Sequence, residues 1–151
     1  MGVIGNQGAC VIAKSYEMKA AGVKTGEPIW EAMRKCPDGL YVKRDFRWYE
    51  LLSRLMLEIV REYSPRVEYY SIDEFFFDAT PPPGTSPQAF AERIRDRIWE
   101  RVRVPATVGI ARTRTIAKLV SDTAKPFGAL AVLDEAEATA LLERTPVGEI
   151  A

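Results

Sequence analysis

The sequence has no histidine and only two cysteines, Cys10 and Cys36, among 151 residues. Zinc sites draw on clustered cysteine and histidine, and disulfide frameworks on many paired cysteines, so both are excluded. Two isolated thiols fit a reduced, cytoplasmic setting. Charge of one sign is lacking as well, since 21 Lys and Arg balance 21 Asp and Glu. That rules out a whole-chain electrostatic grip on nucleic acid and leaves only local basic patches. No apolar run is long enough to cross a bilayer. The first residues lack the charged and then apolar parts of a signal peptide. There is neither low-complexity sequence nor a repeat with a period of about 20–50 residues. What is present is 47% hydrophobic and 28% charged, enough for a real core in one ordinary domain.

The most informative stretch is Val67 to Thr80, Val-Glu-Tyr-Tyr-Ser-Ile-Asp-Glu-Phe-Phe-Phe-Asp-Ala-Thr. Its β-branched and aromatic residues suit a pleated, half-buried surface. In one regular strand the adjacent acids Asp73 and Glu74 would point to opposite faces. A turn near Ile72–Phe75, making a hairpin of 67–71 and 75–79, would let them converge. Two such charges about 4 Å apart repel by roughly 4 kcal/mol at an effective dielectric of 20. A converged pair therefore calls for a cation, and hard oxygen donors suit Mg²⁺ or Mn²⁺. Read alone, the pair is equally a solvated turn, where Asp is common in any case.

The remaining elements can be read in order. Residues 9–13 suit a strand, and Ser15 caps a short helix that stops at Gly22. Pro28 opens a second helix through Lys35, and residues 40–42 suit another strand. From Phe46 to Tyr63 the apolar positions Trp48, Leu51, Leu52, Leu55, Met56, Ile59 and Val60 recur at helical spacing, with Asp45 as cap and Pro65 beyond the end. All are expected in the core. The Pro81-Pro82-Pro83 loop cannot continue a sheet. Ser86-Pro87 then starts a helix with the apolar ridge Phe90, Ile94, Ile98 and Val102, whose scattered arginines read as a solvated face. A strand over 106–111 leads into a helix over 115–124. There Ile116, Leu119, Val120 and Thr123 form one face, and Arg114, Lys118, Ser121 or Asp122, and Lys125 another. A strand over 129–132 and a helix over 135–144 complete the chain.

Three motifs bring a family resemblance. The run Ser64-Pro65-Arg66-Val67-Glu68-Tyr69-Tyr70-Ser71-Ile72-Asp73-Glu74 resembles the palm signature of Y-family, translesion DNA polymerases of the UmuC/DinB group. Val11-Ile12-Ala13-Lys14-Ser15-Tyr16-Glu17-Met18-Lys19, followed by Gly22 to Pro28, is similar to the fingers of that family. Residues Thr107 to Ile110 and Ala117 to Leu119, followed by Ala124-Lys125-Pro126-Phe127-Gly128, resemble its second palm segment. The resemblance implies that Asp73 and Glu74 are catalytic, metal-binding carboxylates for two Mg²⁺ ions, with Mn²⁺ an alternative. It further implies that Tyr16, Lys19 and Lys125 contact the triphosphate of an incoming nucleotide. Relatives commonly carry Arg where Lys19 stands, and Lys supplies charge without a bidentate fork.

The implied architecture is α+β, a ferredoxin-like βαββαβ palm lacking its first strand beside a small α/β fingers subdomain. Its expected boundaries are 1–40 for partial fingers, 41–133 for the palm and 134–151 for the start of a thumb. In the family the first metal-binding Asp, and the aromatic residue that screens out ribonucleotides, come from a strand ahead of this sequence. Thumb and little-finger domains follow it. The implied activity is template-directed addition of deoxynucleotides to a primer 3′-hydroxyl in translesion synthesis, with primer-template DNA and dNTP as partners. The resemblance also suggests a sliding clamp and a UmuD-like partner, and no membrane. With one carboxylate absent, the chain alone is expected to be inactive. The alternative is a catalytically empty nucleotide-binding or interaction module of the same fold. A palm-type nucleotide cyclase shares the acidic hairpin but not the Ser-Tyr-Glu and Ala-Lys-Pro contexts.

Overall fold

The computed structural model describes residues 1–5 and 8–150. The chain divides into two compact units, residues 1–48 and 49–151.

In the first unit, β1 (Gly2–Ile4) lies between β2 (Val11–Lys14), antiparallel to it, and β3 (Tyr41–Lys43), parallel to it. β1 was not foreseen, because three residues are too few to show alternation. Ser15 caps α1 (Tyr16–Ala20) by accepting from the Met18 N–H, and Pro28 precedes α2 (Ile29–Lys35). Gly22, at φ +83°, ends the first helix in the left-handed region that glycine enters freely. Val11, Met18, Val23 and Ala32 are buried together as this unit's core. Glu27 is buried beside them, accepting from the Lys35 ammonium and from the Lys24 N–H at 3.0 Å. The Lys35 hydrogen bond, ahead of the Lys24 amide, holds its carboxyl below the usual glutamate range.

α3 (Phe46–Arg61) starts in the first unit, where Asp45 Oδ1 accepts from the Trp48 N–H at 3.1 Å, and runs into the second. Met56, Ile59 and Val60 are buried as expected, but Trp48, Leu51 and Leu55 are 53%, 46% and 38% exposed, against the expectation of a core role. The apolar stripe of α3 is wider than the arc it buries. At roughly 100° per residue, Leu55 stands about 100° and Leu51 about 140° round the helix from Met56.

The second unit continues with an antiparallel hairpin, β4 (Val67–Ser71) and β5 (Glu74–Phe77). α4 (Pro87–Val102) is capped by Ser86, whose Oγ accepts from the Ala89 N–H at 3.1 Å. It leads to β6 (Val108–Ala111), which α5 (Arg114–Thr123) joins to the parallel β7 (Ala129–Val132). α6 (Glu135–Arg144) and a 3₁₀ turn (Val147–Glu149) follow. Met56, Ile59, Phe90, Ile94 and Ile98 form the main core between α3 and α4, and Phe75, Phe77, Val108 and Ile110 of the strands pack onto it. A smaller core under α5 and α6 joins Leu119, Val120, Val132 and Leu141. The order α3-β4-β5-α4-β6 is the αββαβ part of the expected palm. Among the described residues its strands form two separate two-stranded ribbons, β4-β5 and β6-β7.

Candidate functional site

The hairpin turns through Ile72 and Asp73, with Ser71 opposite Glu74. That short connection resolves the geometric problem of two adjacent acids. Asp73 sits in the turn, and Glu74 is the first residue of β5. The Ser71 hydroxyl donates to Asp73 Oδ1 at 2.7 Å and pins the turn carboxylate. Asp73 is exposed, whereas Glu74 is half-buried.

Across from the tip, α5 is held close to β6. A Cβ at Gly109 would lie 2.3 Å from the Ala117 carbonyl oxygen, so the helix backbone rests directly on the strand there. This approach brings the polar face of α5 to the acids. Lys118 forms an ion pair with Glu74 from 44 residues away in sequence, both side chains being largely shielded. The Glu74 hydrogen bond, outweighing desolvation, pushes the Lys118 ammonium above the usual lysine range. Lys125, just beyond α5, pairs with Asp122 at 2.6 Å and is half-exposed.

Asp73, Glu74, Lys118, Ser121, Asp122 and Lys125 all line one cavity of about 470 Å³. Three of the five residues singled out from sequence, Asp73, Glu74 and Lys125, are thus brought together. Tyr16 and Lys19 lie on α1 of the first unit, both exposed. Lys118 was not singled out as a site residue. Its position one helical turn after Arg114, and one step of seven before Lys125, marked its face, but not its carboxylate partner. Arg114 separates from that face. It pairs with Glu68 at 2.8 Å and lies over the rings of Tyr70 and Phe76 at 4.8 and 4.4 Å, bracing the hairpin from outside.

The donor set is two carboxylates with hard oxygens, one already engaged by a lysine. Among the described residues no group of three or more His, Cys, Asp or Glu side chains is placed to hold a metal ion. Asp73 and Glu74 fit part of the oxygen shell of a Mg²⁺-type ion, which ordinarily completes its octahedron with water and substrate phosphate oxygens.

The profile of the impB/mucB/samB family matches residues 1–122. A DNA polymerase IV 1 of Bacillus subtilis is 38% identical over 141 residues, covering 93% of this chain and 34% of the relative. A DNA polymerase IV of Saccharolobus solfataricus is 31% identical, covering 93% of this chain and 40% of its own length. Among solved structures, DinB from Sulfolobus solfataricus superposes with a TM-score of 0.87 at 28% identity, over 99% of this chain and 45% of that one. An insertion ternary complex of Dbh DNA polymerase superposes with a TM-score of 0.81 at 29% identity, over 93% of this chain and 42% of that one. The chain spans only 34% and 40% of the length of these two curated relatives.

Proposed function

We propose, from the premise that the chain belongs to the impB/mucB/samB family, that it is the fingers and palm portion of a Y-family DNA polymerase. The observation that carries this reading is the acid pair at the β4-β5 tip, facing Lys118 and Lys125 across one cavity. The proposed portions are 1–40 as partial fingers, 41–133 as palm and 134–151 as the start of a thumb.

The reaction this portion serves is phosphoryl transfer. A primer 3′-hydroxyl attacks the α-phosphate of a deoxynucleoside triphosphate, and pyrophosphate leaves. Asp73 and Glu74 would hold divalent metal, Mg²⁺ or Mn²⁺, which when bound polarises the phosphate and stabilises the attacking and leaving oxygens. Lys125 offers an exposed ammonium to the triphosphate, and its partner Asp122 keeps it at the rim of the cavity. Tyr16 and Lys19 are proposed to contact the same triphosphate from the fingers. Lys118 neutralises Glu74 and limits the repulsion between the adjacent acids. Damaged primer-template DNA, a sliding clamp and a UmuD-like partner belong to this reading for the longer polypeptide, acting in the cytoplasm in translesion synthesis and the SOS response.

A second reading has its own observation. Lys118 already occupies Glu74, which is the arrangement of a structural ion pair in a catalytically empty nucleotide-binding module. Calorimetry separates the two, titrating dATP with Mn²⁺ or Mg²⁺ into the chain beside Asp73→Ala and Lys125→Ala. The polymerase reading expects metal-dependent nucleotide binding that each substitution weakens by about tenfold, the loss of one charge-assisted contact. Binding that is indifferent to Asp73→Ala would sink it in favour of the empty module.

A further inference from the structure

We infer that Phe127 is a positioning residue: its ring docks on Trp99 of α4 and so fixes the loop between α5 and β7 that presents Lys125. The inference deepens the polymerase reading, on which the role of Lys125 rests.

Among the described residues, only Arg103 and Phe127 are non-glycine residues at positive φ, +60° and +50°. A Cβ makes that region costly, and a bulky side chain stays there only where its surroundings over-determine it. Both residues converge on Trp99. The Arg103 guanidinium lies over the Trp99 ring at 5.6 Å, and the Phe127 ring meets it edge-on, with centroids 5.4 Å apart. Arg95 covers Phe127 at 5.3 Å and is itself held by Asp96 at 2.7 Å. These distances lie within the attractive range of aromatic and cation–π pairs. Arg103 has an ordinary reason for its backbone, since it ends α4 and its N–H donates to the Trp99 carbonyl at 3.0 Å. Phe127 caps no helix, so its socket on α4 is what holds it. The two rings are 38% and 37% exposed, which makes the contact a surface latch rather than part of the core.

The loop is short and anchored at both ends. The Ala124 N–H donates to the Val120 carbonyl at 3.1 Å at the end of α5, and the Gly128 carbonyl accepts from the Val108 N–H at 3.1 Å. A Cβ at Gly128 would lie 1.9 Å from the Ala124 carbonyl oxygen, so the chain doubles back directly on the helix end. Just beyond, Gln88 of α4 donates to the Ala129 carbonyl at 2.9 Å and accepts from the Ala131 N–H at 3.0 Å. α4 thus grips β7 through Gln88 and the loop through Trp99. Lys125 lines the cavity that holds the acid pair, and Phe127 does not. Phe127 therefore acts on the site through Lys125. The lysine has need of it, because its own ion pair, with Asp122, is local and half-exposed, and such a pair holds a long side chain weakly. An ammonium on a loose loop would first have to be ordered before it could bind a phosphate.

The test titrates dATP with Mn²⁺ into the 151-residue chain by calorimetry and measures the order parameter of the Lys125 amide by NMR without nucleotide. Trp99→Leu leaves the loop sequence intact, and Phe127→Gly keeps the left-handed backbone while removing the ring. Each is expected to weaken binding by about threefold to fivefold, less than Lys125→Ala, by loosening the lysine. Each should also lower the Lys125 order parameter from about 0.85 to below 0.6. Phe127→Tyr should match the wild type in both. On the Lys125→Ala background neither substitution should weaken binding further, which a merely structural role would not produce. Wild-type affinity in Trp99→Leu and Phe127→Gly, or an equal loss on the Lys125→Ala background, would overturn the inference. If the wild type does not bind, or Lys125→Ala binds as well as it does, the triphosphate contact fails instead. The order parameter then decides alone: a drop in Trp99→Leu sustains the positioning, and no change overturns it.

Discussion

Replacing Gly109 by alanine tests whether the contact of α5 with β6 positions the site. The new Cβ would meet the Ala117 carbonyl oxygen at 2.3 Å, the Ser121 nitrogen at 2.5 Å and the Ser121 Cβ at 2.9 Å. Ordinary carbon contacts lie near 3.5–4.0 Å, so helix and strand must part by about 1 Å. Two of the three atoms are helix backbone and cannot rotate aside, which places the cost at the top of the overpacking range, about 3 kcal/mol. Gly84→Ala is the control. Nothing lies within 4 Å of its Cβ, but its φ of +78° is left-handed, and alanine there costs about 1 kcal/mol through the backbone alone. In urea, with a slope of about 2 kcal/mol/M, the midpoint should fall by about 1.5 M for Gly109→Ala and about 0.5 M for Gly84→Ala. Amide NMR peaks of β6 and α5 report the second unit specifically. As α5 moves, the Lys118 ammonium should titrate closer to an ordinary lysine. A Gly109→Ala midpoint falling no further than that of Gly84→Ala would refute the argument.

Ile94→Ala removes a side chain that is 2% exposed at the centre of the α3-α4 core. It should cost about 2–5 kcal/mol by chemical denaturation, the range for emptying a well-packed site. Lys118→Met should destabilise the second unit only where Lys118 is charged. Its folded pKa is raised by Glu74, so its contribution is fully present below the unfolded lysine value of about 10.4 and is lost as pH rises through the folded value. The stability difference between wild type and Lys118→Met should therefore be flat from neutral pH to about 9 and close at higher pH. Glu27 behaves in the opposite sense, because its pKa is lowered by Lys35 and the Lys24 amide. Its contribution should be present above about 4.3 and disappear as pH falls through the depressed folded value. Glu27→Gln should remove that acid-side slope, as followed by Val11 and Val23 methyl signals.

The hairpin was legible because alternating β-branched and aromatic residues are interrupted at Ile72-Asp73-Glu74, and α4 because Ser86-Pro87 marks its start chemically. α6, over Glu135–Arg144, falls where the sequence pattern places it. The limits have physical causes. Helical periodicity reports which residues of α3 are apolar but not how wide an arc its neighbours cover, so it points Trp48, Leu51 and Leu55 to a core they do not enter. The Lys118–Glu74 and Arg114–Glu68 pairs join residues 44 and 46 apart. Nothing local encodes such pairings, which depend on α5 lying flat against β6. Gly109 marks that closeness, but as one glycine in a short strand it does not announce what it approaches.

The parallel connection of β6 to β7 through α5 has a consequence for the order of assembly. The β4-β5 hairpin closes through a short local turn, an event of about 1–10 μs. Lys118 reaches Glu74 only after α4, β6 and α5 have docked, and such non-local pairings are slow to form. On this order Glu74 should be placed in the hairpin before its partner Lys118 arrives. Stopped-flow kinetics should give Lys118→Met a φ-value near zero and Phe75→Leu in the hairpin one of about 0.5 or more. The hairpin tip would then form early, with the charge of Glu74 met by Lys118 only at the end.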